Sequence, residues 1–235
     1  MAKRRRGRNG RKAIAATAVA LALLTATALI VLFGGWHKFA NRAKHMFTAA
    51  GSPIAVSGTR IDPANEGRDV RISGYLEIAK QPVDPQLGIS AKAAILFRHV
   101  EMYQWREQCS GTACRYDKLW SSFPIDSHGF RVQQGHENAK FPFKDAHFAA
   151  PDIKIGAFAI DPSLLINSAT LAYPVRAAQL PPNLAMTFAD EGGVLYAGAD
   201  PAHPQIGGLR IGYRVLPLHA VTLTGVQRGS RLARN

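Results

Sequence analysis

From Ala13 to Phe33 the chain is apolar without interruption: twenty-one residues carry no charge and nothing more polar than threonine. A helix rising about 1.5 Å per residue needs about 20 such residues to cross the roughly 30 Å hydrocarbon core of a bilayer. The pattern predicts a transmembrane helix over 13–35, preceded by a basic cytoplasmic tail over 1–12. Lys3, Arg4, Arg5, Arg6, Arg8, Arg11 and Lys12 precede the run, with no acid among them. The positive-inside bias then holds the N-terminus in the cytoplasm and places the rest in the periplasm or a lumen. A cleaved secretory signal is the competing reading, although its apolar region is usually about 7–15 residues long. Past Gly34 and Gly35, Trp36, Phe39, Ala40, Ala43 and Phe47 recur at three- or four-residue spacing. That period predicts a juxtamembrane amphipathic helix over 36–50, its aromatics at headgroup depth or packed on the body.

Beyond residue 50 the period changes from helical to two. Val70, Ile72, Gly74, Leu76 and Ile78 alternate with polar neighbours, which is the signature of a half-buried strand. The longest element runs from Ala91 to Gln108 and returns as Arg115 to Phe123. In it Val100, Met102 and Gln104 alternate with Glu101, Tyr103 and Trp105, bulky on both faces as in a covered central strand. Trp105, Tyr116 and Trp120 are predicted to meet across this hairpin, as part of a sheet core or as an aromatic recognition surface. Asp161-Pro162-Ser163 carries the cap and first-turn proline of a short helix burying Leu164, Leu165, Ala169 and Leu171. Strands follow at 194–197, 209–216 and 220–227. The fold class is α+β, mostly β: an N-terminal transmembrane helix, then a β-rich extracytoplasmic domain over 51–235 with one short helix.

An echo suggests that this domain holds two related β units. Asp62-Pro63-Ala64 lies ahead of Arg71-Ile72-Ser73-Gly74-Tyr75, and Asp200-Pro201-Ala202 ahead of Arg210-Ile211-Gly212-Tyr213. Two copies exclude a solenoid, which needs at least three.

The net charge of +13 changes the picture less than its size suggests. Between Met46 and Gln227 sixteen cations meet sixteen acids, so the excess belongs to the ends, Arg228, Arg231 and Arg234 included. A nucleic-acid surface needs cations gathered on the folded body, and that class is excluded as a partner. The basic start fits anionic lipid instead, at about 1 kcal/mol per cation near the surface.

Cys109 and Cys114 stand at the two shoulders of the hairpin turn, separated by Ser-Gly-Thr-Ala. Cross-strand positions at such a turn are close enough to bridge, and an oxidising compartment favours a disulfide over a free pair or a metal site. His128, His136 and His147 lie near Asp126, Glu137 and Asp145. Three histidines and three carboxylates can form a metal or acid–base site, yet no two of these histidines have helical or strand ligand spacing, and the stretch reads as loop. No catalytic, cofactor or metal residues are assigned.

The string Val100-Glu101-Met102-Tyr103-Gln104-Trp105, within Leu96 to Glu107, resembles the most recognisable segment of the transmembrane protein 43 (LUMA) family. Gly135-His136-Glu137-Asn138, Ile155 to Phe158, Pro204 to Ile211 and Gly225 to Gly229 follow in that family's order. The resemblance implies an N-terminal membrane helix, a large lumenal or periplasmic domain, further C-terminal membrane helices, and a role as a scaffold for membrane protein complexes. It brings no catalytic residues and no cofactor. Ala139 stands where the family's motif continues with proline, and the chain stops at Arg-Leu-Ala-Arg-Asn, where the family continues into membrane helices. The expectation is a single-pass, bacterial-type relative without those helices. It would organise membrane complexes without catalysis, its partners the bilayer and other membrane proteins or further copies of itself. The rivals are an extracytoplasmic metal-dependent hydrolase built on His136 with His128 or His147, and a truncated, inactive family member.

Overall fold

The computed structural model describes residues 52–235, so the predicted membrane helix and amphipathic helix over 13–50 lie outside the described residues. Among the described residues no helix is long and apolar enough to cross a membrane. Among the described residues thirteen strands, β1 to β13, form two sheets. The six-stranded sheet runs β1 (Ile54–Ala55), β2 (Asp69–Tyr75), β12 (Ala220–Arg228), β13 (Arg231–Ala233), β7 (Phe158–Ile160) and β6 (Lys154–Ile155). The seven-stranded sheet runs β4 (Ala113–Ser121), β3 (Ala93–Ser110), β11 (Leu209–Pro217), β10 (Val194–Ala197) and β9 (Ala189–Glu191); β5 (Ala146–Ala149) adds to β3, and β8 (Leu171–Tyr173) to β11.

Register explains how one sheet serves two cores. Leu96 of β3 lies opposite Val215 of β11, and Ile95 opposite Leu216. Successive residues of a strand point to opposite faces. Leu96 and Val215 accordingly join a core with Leu87, Ile89, Val175, Phe188 and Leu195, while Ile95 and Leu216 join a second with Ile72, Ile155, Phe158, Leu165 and Leu232. The second core fills the space against the six-stranded sheet.

Where the sequence shows sustained alternation, strand and structure agree to within a few residues. The helix expected from Asp161 does not form. Asp161 caps as predicted, its Oδ1 accepting from Ser163 N at 3.0 Å, but only a single 3-10 turn, Pro162–Leu164, follows. Asn167, Ser168 and Thr170 favour local side-chain bonds over helix, and so short a run cannot offset the cost of nucleation. Leu165 is buried as expected, whereas Leu171 stands on β8 at 60% exposure. The helix of the described body is instead α1 (Pro182–Ala185), one turn long. The C-terminal arginines are also no free tail. Arg231 begins β13 and pairs with Asp161 at 2.9 Å, and Leu232 is fully buried.

The paired Asp-Pro-Ala segments adopt the same local turn. Asp62 Oδ1 accepts from Ala64 N at 3.0 Å, and Asp200 Oδ1 from Ala202 N at 2.9 Å. Their following strands, β2 and β11, belong to different sheets.

Candidate interaction surface

The eighteen residues of β3 span about 60 Å at about 3.3 Å each. Pairing with β11 ends at Met102, beyond which β3 and β4 continue as an arm closed by the Cys109–Cys114 disulfide. The disulfide expected from the spacing is present at the turn. On one face of the arm, register sets Tyr103 opposite Trp120, Trp105 opposite Lys118, and Glu107 opposite Tyr116. The Tyr103 and Trp120 ring centroids lie 5.3 Å apart, the Lys118 ammonium 4.5 Å from the Trp105 ring centre, and the Arg210 guanidinium 4.2 Å from that of Trp120. Arg210 also reaches Glu191 at 3.2 Å. The expected meeting of Trp105, Tyr116 and Trp120 is therefore rearranged: Trp120 packs at a tilt against Tyr103, while Trp105 and Tyr116 meet through a third ring. These half-buried side chains belong to neither core.

That third ring is His136. It stacks on Tyr116 with centroids 3.9 Å apart and stands edge-on to Trp105 at 4.6 Å, while its Nδ1 lies 3.1 Å from Val132 O. Two amides fasten the long loop carrying it. Gln104, 1% exposed, donates from Nε2 to Phe123 O at 3.0 Å and accepts from Ile125 N at 2.9 Å. Asn138 accepts from Trp105 N at 2.7 Å and donates to Trp105 O at 2.9 Å and Ile125 O at 3.2 Å. Asn138 thus stands in for a neighbouring strand where β11 has ended. Gly135, at φ 81°, makes the bend between His136 and the preceding turn without strain. The two motifs that carry the family resemblance, Val100 to Trp105 and Gly135 to Asn138, meet here as one stapled unit. Within it Val100 and Met102 face the first core, and Glu101 stands opposite Arg210.

Charge on the arm is locally matched. Glu107 accepts from the Tyr116 hydroxyl at 2.6 Å and from Arg131 N at 2.7 Å, which holds its carboxyl below the usual range and raises the Tyr116 phenol. On the other face Arg106 and Asp117 pair at 2.5 Å, depressing the Asp117 carboxyl.

Beneath the sheet lies an ion pair that the sequence did not announce. Arg98 Nη1 donates to Asp84 Oδ2 at 2.7 Å, with the side chains only 3% and 0% exposed. Tyr213 donates to the same oxygen at 2.7 Å, and Asp84 Oδ1 accepts from Gln86 N at 2.9 Å. Arg98 also reaches Gln86 Oε1 and Lys144 O. Desolvation and the Asp84 hydrogen bond push the Tyr213 phenol far above its ordinary range. The sequence signal available was a lone cation inside the apolar run Ala93 to Val100.

The histidines of the hydrolase reading do not converge. His128 pairs with Asp126 and is 91% exposed, His136 is held between rings, and His147 stands on β5 opposite Phe97. Among the described residues one trio of metal-ligand side chains gathers, Glu107 with Cys109 and Cys114, and its two sulfurs are bonded to each other. Among the described residues no carboxylate and histidine set gathers around His136.

A two-sheet β protein whose distinguishing surface is a stapled, disulfide-tipped hairpin is the class these features define. The family model described as Transmembrane protein 43 matches residues 102–234, from within β3 to the C-terminal strand, and the chain belongs to that family. It is 30% identical over 224 residues to Transmembrane protein 43 of Rattus norvegicus and 29% identical over 224 residues to that of Homo sapiens, covering 83% of this chain and 56% of each relative. The Transmembrane protein 43 homolog of Drosophila melanogaster is 25% identical over 164 residues, 62% of this chain and 42% of the relative. The chain spans about half the length of the curated relatives it matches. No solved structure matches it.

Proposed function

We propose that this chain is a non-catalytic, membrane-anchored interaction protein, held by a helix over 13–35 with its N-terminus in the cytoplasm, whose extracytoplasmic body organises other membrane proteins. The observation that carries the reading is the outer face of the arm. There Tyr103, Trp105 and Trp120 stand outside both cores, with Lys118 and Arg210 against the indoles. Aromatic and arginine side chains on a rigid support are the common anchors of protein interfaces. The relatives' names, Transmembrane protein 43, support the membrane setting.

The test places a photo-crosslinking side chain at Glu101, on this face, and another at the remote, 92% exposed Met186 in the full chain within its native membranes. An adduct with an integral membrane protein at Glu101 but not at Met186, lost on Trp105→Ala with Trp120→Ala, is the expected result. Equal labelling at both positions, or none at Glu101, rejects the face. Recovery of the full chain from the soluble fraction at neutral pH and moderate salt rejects the anchor.

A further inference from the structure

The two long edges of the arm are finished differently. On the β3 side, Tyr103 N donates to Gly208 O at 2.9 Å and Gly207 N to Tyr103 O at 2.9 Å, and Asn138 meets both backbone groups of Trp105. Tyr103 and Trp105 therefore turn their N–H and C=O away from β4. In an antiparallel pair such positions are the ones without mutual hydrogen bonds, so their partners across the ladder also turn outward. Those partners are Trp120 and Lys118, and by the same alternation Tyr116 and Cys114. Among the described residues nothing bonds these outward backbone groups. Four alternate residues of β4 thus present a continuous row of donors and acceptors, the arrangement that recruits another strand.

We propose that this edge pairs with β4 of a second copy of the chain, antiparallel about a two-fold axis through Tyr116, joining two arms into one sheet. The charges on β4 select that register. Centred on Tyr116, the pairing sets Tyr116 against its own symmetry mate and Cys114 against Lys118, each a hydrogen-bonding pair. On the reverse face it brings Arg115 opposite Asp117, twice. Sliding the axis to Arg115, Asp117 or Lys118 sets like charges against each other, which antiparallel neighbours oppose. The Tyr116 register uses three outward residues of each copy, and Arg106, already on Asp117, extends each new ion pair into a trio. A two-fold axis normal to the sheet leaves both aromatic faces on the same side, so the assembly offers two docking faces in one direction. This inference concerns the edge of the arm and stands apart from the proposal for its face.

Sedimentation of the full chain in detergent micelles, over a concentration series, reads the assembly. The unaltered chain is expected to be a dimer that dissociates on dilution. Lys118→Pro removes one outward N–H and leaves the internal ladder intact, so it should raise the dissociation constant about tenfold or more. Arg115→Asp alone and Asp117→Arg alone should each weaken self-pairing, while an equimolar mixture of the two should pair again, because both 115–117 contacts across the new seam are then between opposite charges. Far-UV circular dichroism on each variant establishes that the body has folded. A chain that stays monomeric at about 100 μM, where any dimer with a dissociation constant of about 1 μM is mostly paired, overturns the proposal. So does a dimer indifferent to Lys118→Pro, or a mixture that fails to pair. If the strand of a different membrane protein protects the β4 amides from exchange while the chain remains single, the second copy is likewise overturned. Loss of the dimer in the Arg115→Asp chain, whose change lies on the reverse face of the arm, with the Glu101 adduct retained separates the edge from the face.

Discussion

Arg98 and Tyr213 stand directly opposite each other on β3 and β11 and donate to the same carboxylate oxygen of Asp84, each at 2.7 Å. The three groups come from separate parts of the chain and are all nearly sealed from water. Removing one member of a buried ion pair strands the other, at a cost of about 3–5 kcal/mol. Asp84→Ala should lower the free energy of unfolding by that amount in urea titration. Tyr213→Phe removes one bond to a charged acceptor and should cost about 1.5–3 kcal/mol. A cost below about 0.5 kcal/mol for Asp84→Ala, within the range of an ordinary surface change, would show that the pair is not part of the folded core.

The Asn138 staple makes a more local forecast. Asn138→Ala leaves the Trp105 N–H and C=O without their partner and should cost about 1–3 kcal/mol. Hydrogen exchange should quicken at Trp105 and through Ile125 to His136 while the β11 amides keep their protection. Uniform quickening across both sheets would assign Asn138 a global role instead.

Acid should weaken the body through carboxylates held below their ordinary range. Asp161 is depressed chiefly by the Ser163 N–H, then by its contacts with the Ser163 side chain and Arg231; Asp117 by Arg106, Asp126 by His128, and Glu107 by Tyr116. A carboxyl with a lower value folded than unfolded binds fewer protons in the native state. Its stabilisation is present above the unfolded value of about 4 and is lost as pH falls through the folded value. The melting temperature should therefore decline steadily below about pH 4, and Asp161→Ala should flatten part of that decline. An unchanged slope in the variant would contradict the assignment.

The disulfide closes a very short loop, so its effect should be modest. The chain-entropy relation gives about 2 kcal/mol for a loop of this size. Replacing both Cys109 and Cys114 by Ser should lower thermal stability accordingly, with exchange rising mainly from Gln108 to Arg115. A collapse of the whole fold would mean that the cysteines do more than hold the tip.

The sequence was legible where an element was long and its period sustained. The hairpin of β3 and β4, with a cysteine at each shoulder, could be read from alternation and turn chemistry, as could β11 and β12. Strands of two to four residues, such as β1, β6 and β13, carry too few positions to display a period, and their pairing is settled by tertiary contacts. The segment after Asp161 shows the converse error, a true cap followed by residues that cannot sustain a helix. At the candidate site, the aromatic residues were visible individually, but not that His136 would sit between Trp105 and Tyr116, because loop closure brings them together. Asp84 was hidden more completely. Flanked by Val83 and Pro85, it looks like an exposed turn residue, and only the fold reveals two distant donors waiting for it.

β3 belongs to both cores and to the arm without a break: Leu96 serves one apolar cluster, Ile95 the other, and the same strand continues to Cys109. There is consequently no joint at which the projection could swivel while the body stays still. A load at the tip is carried along a single backbone into the centre of the molecule, and the hairpin behaves as a rigid lever, not a tether.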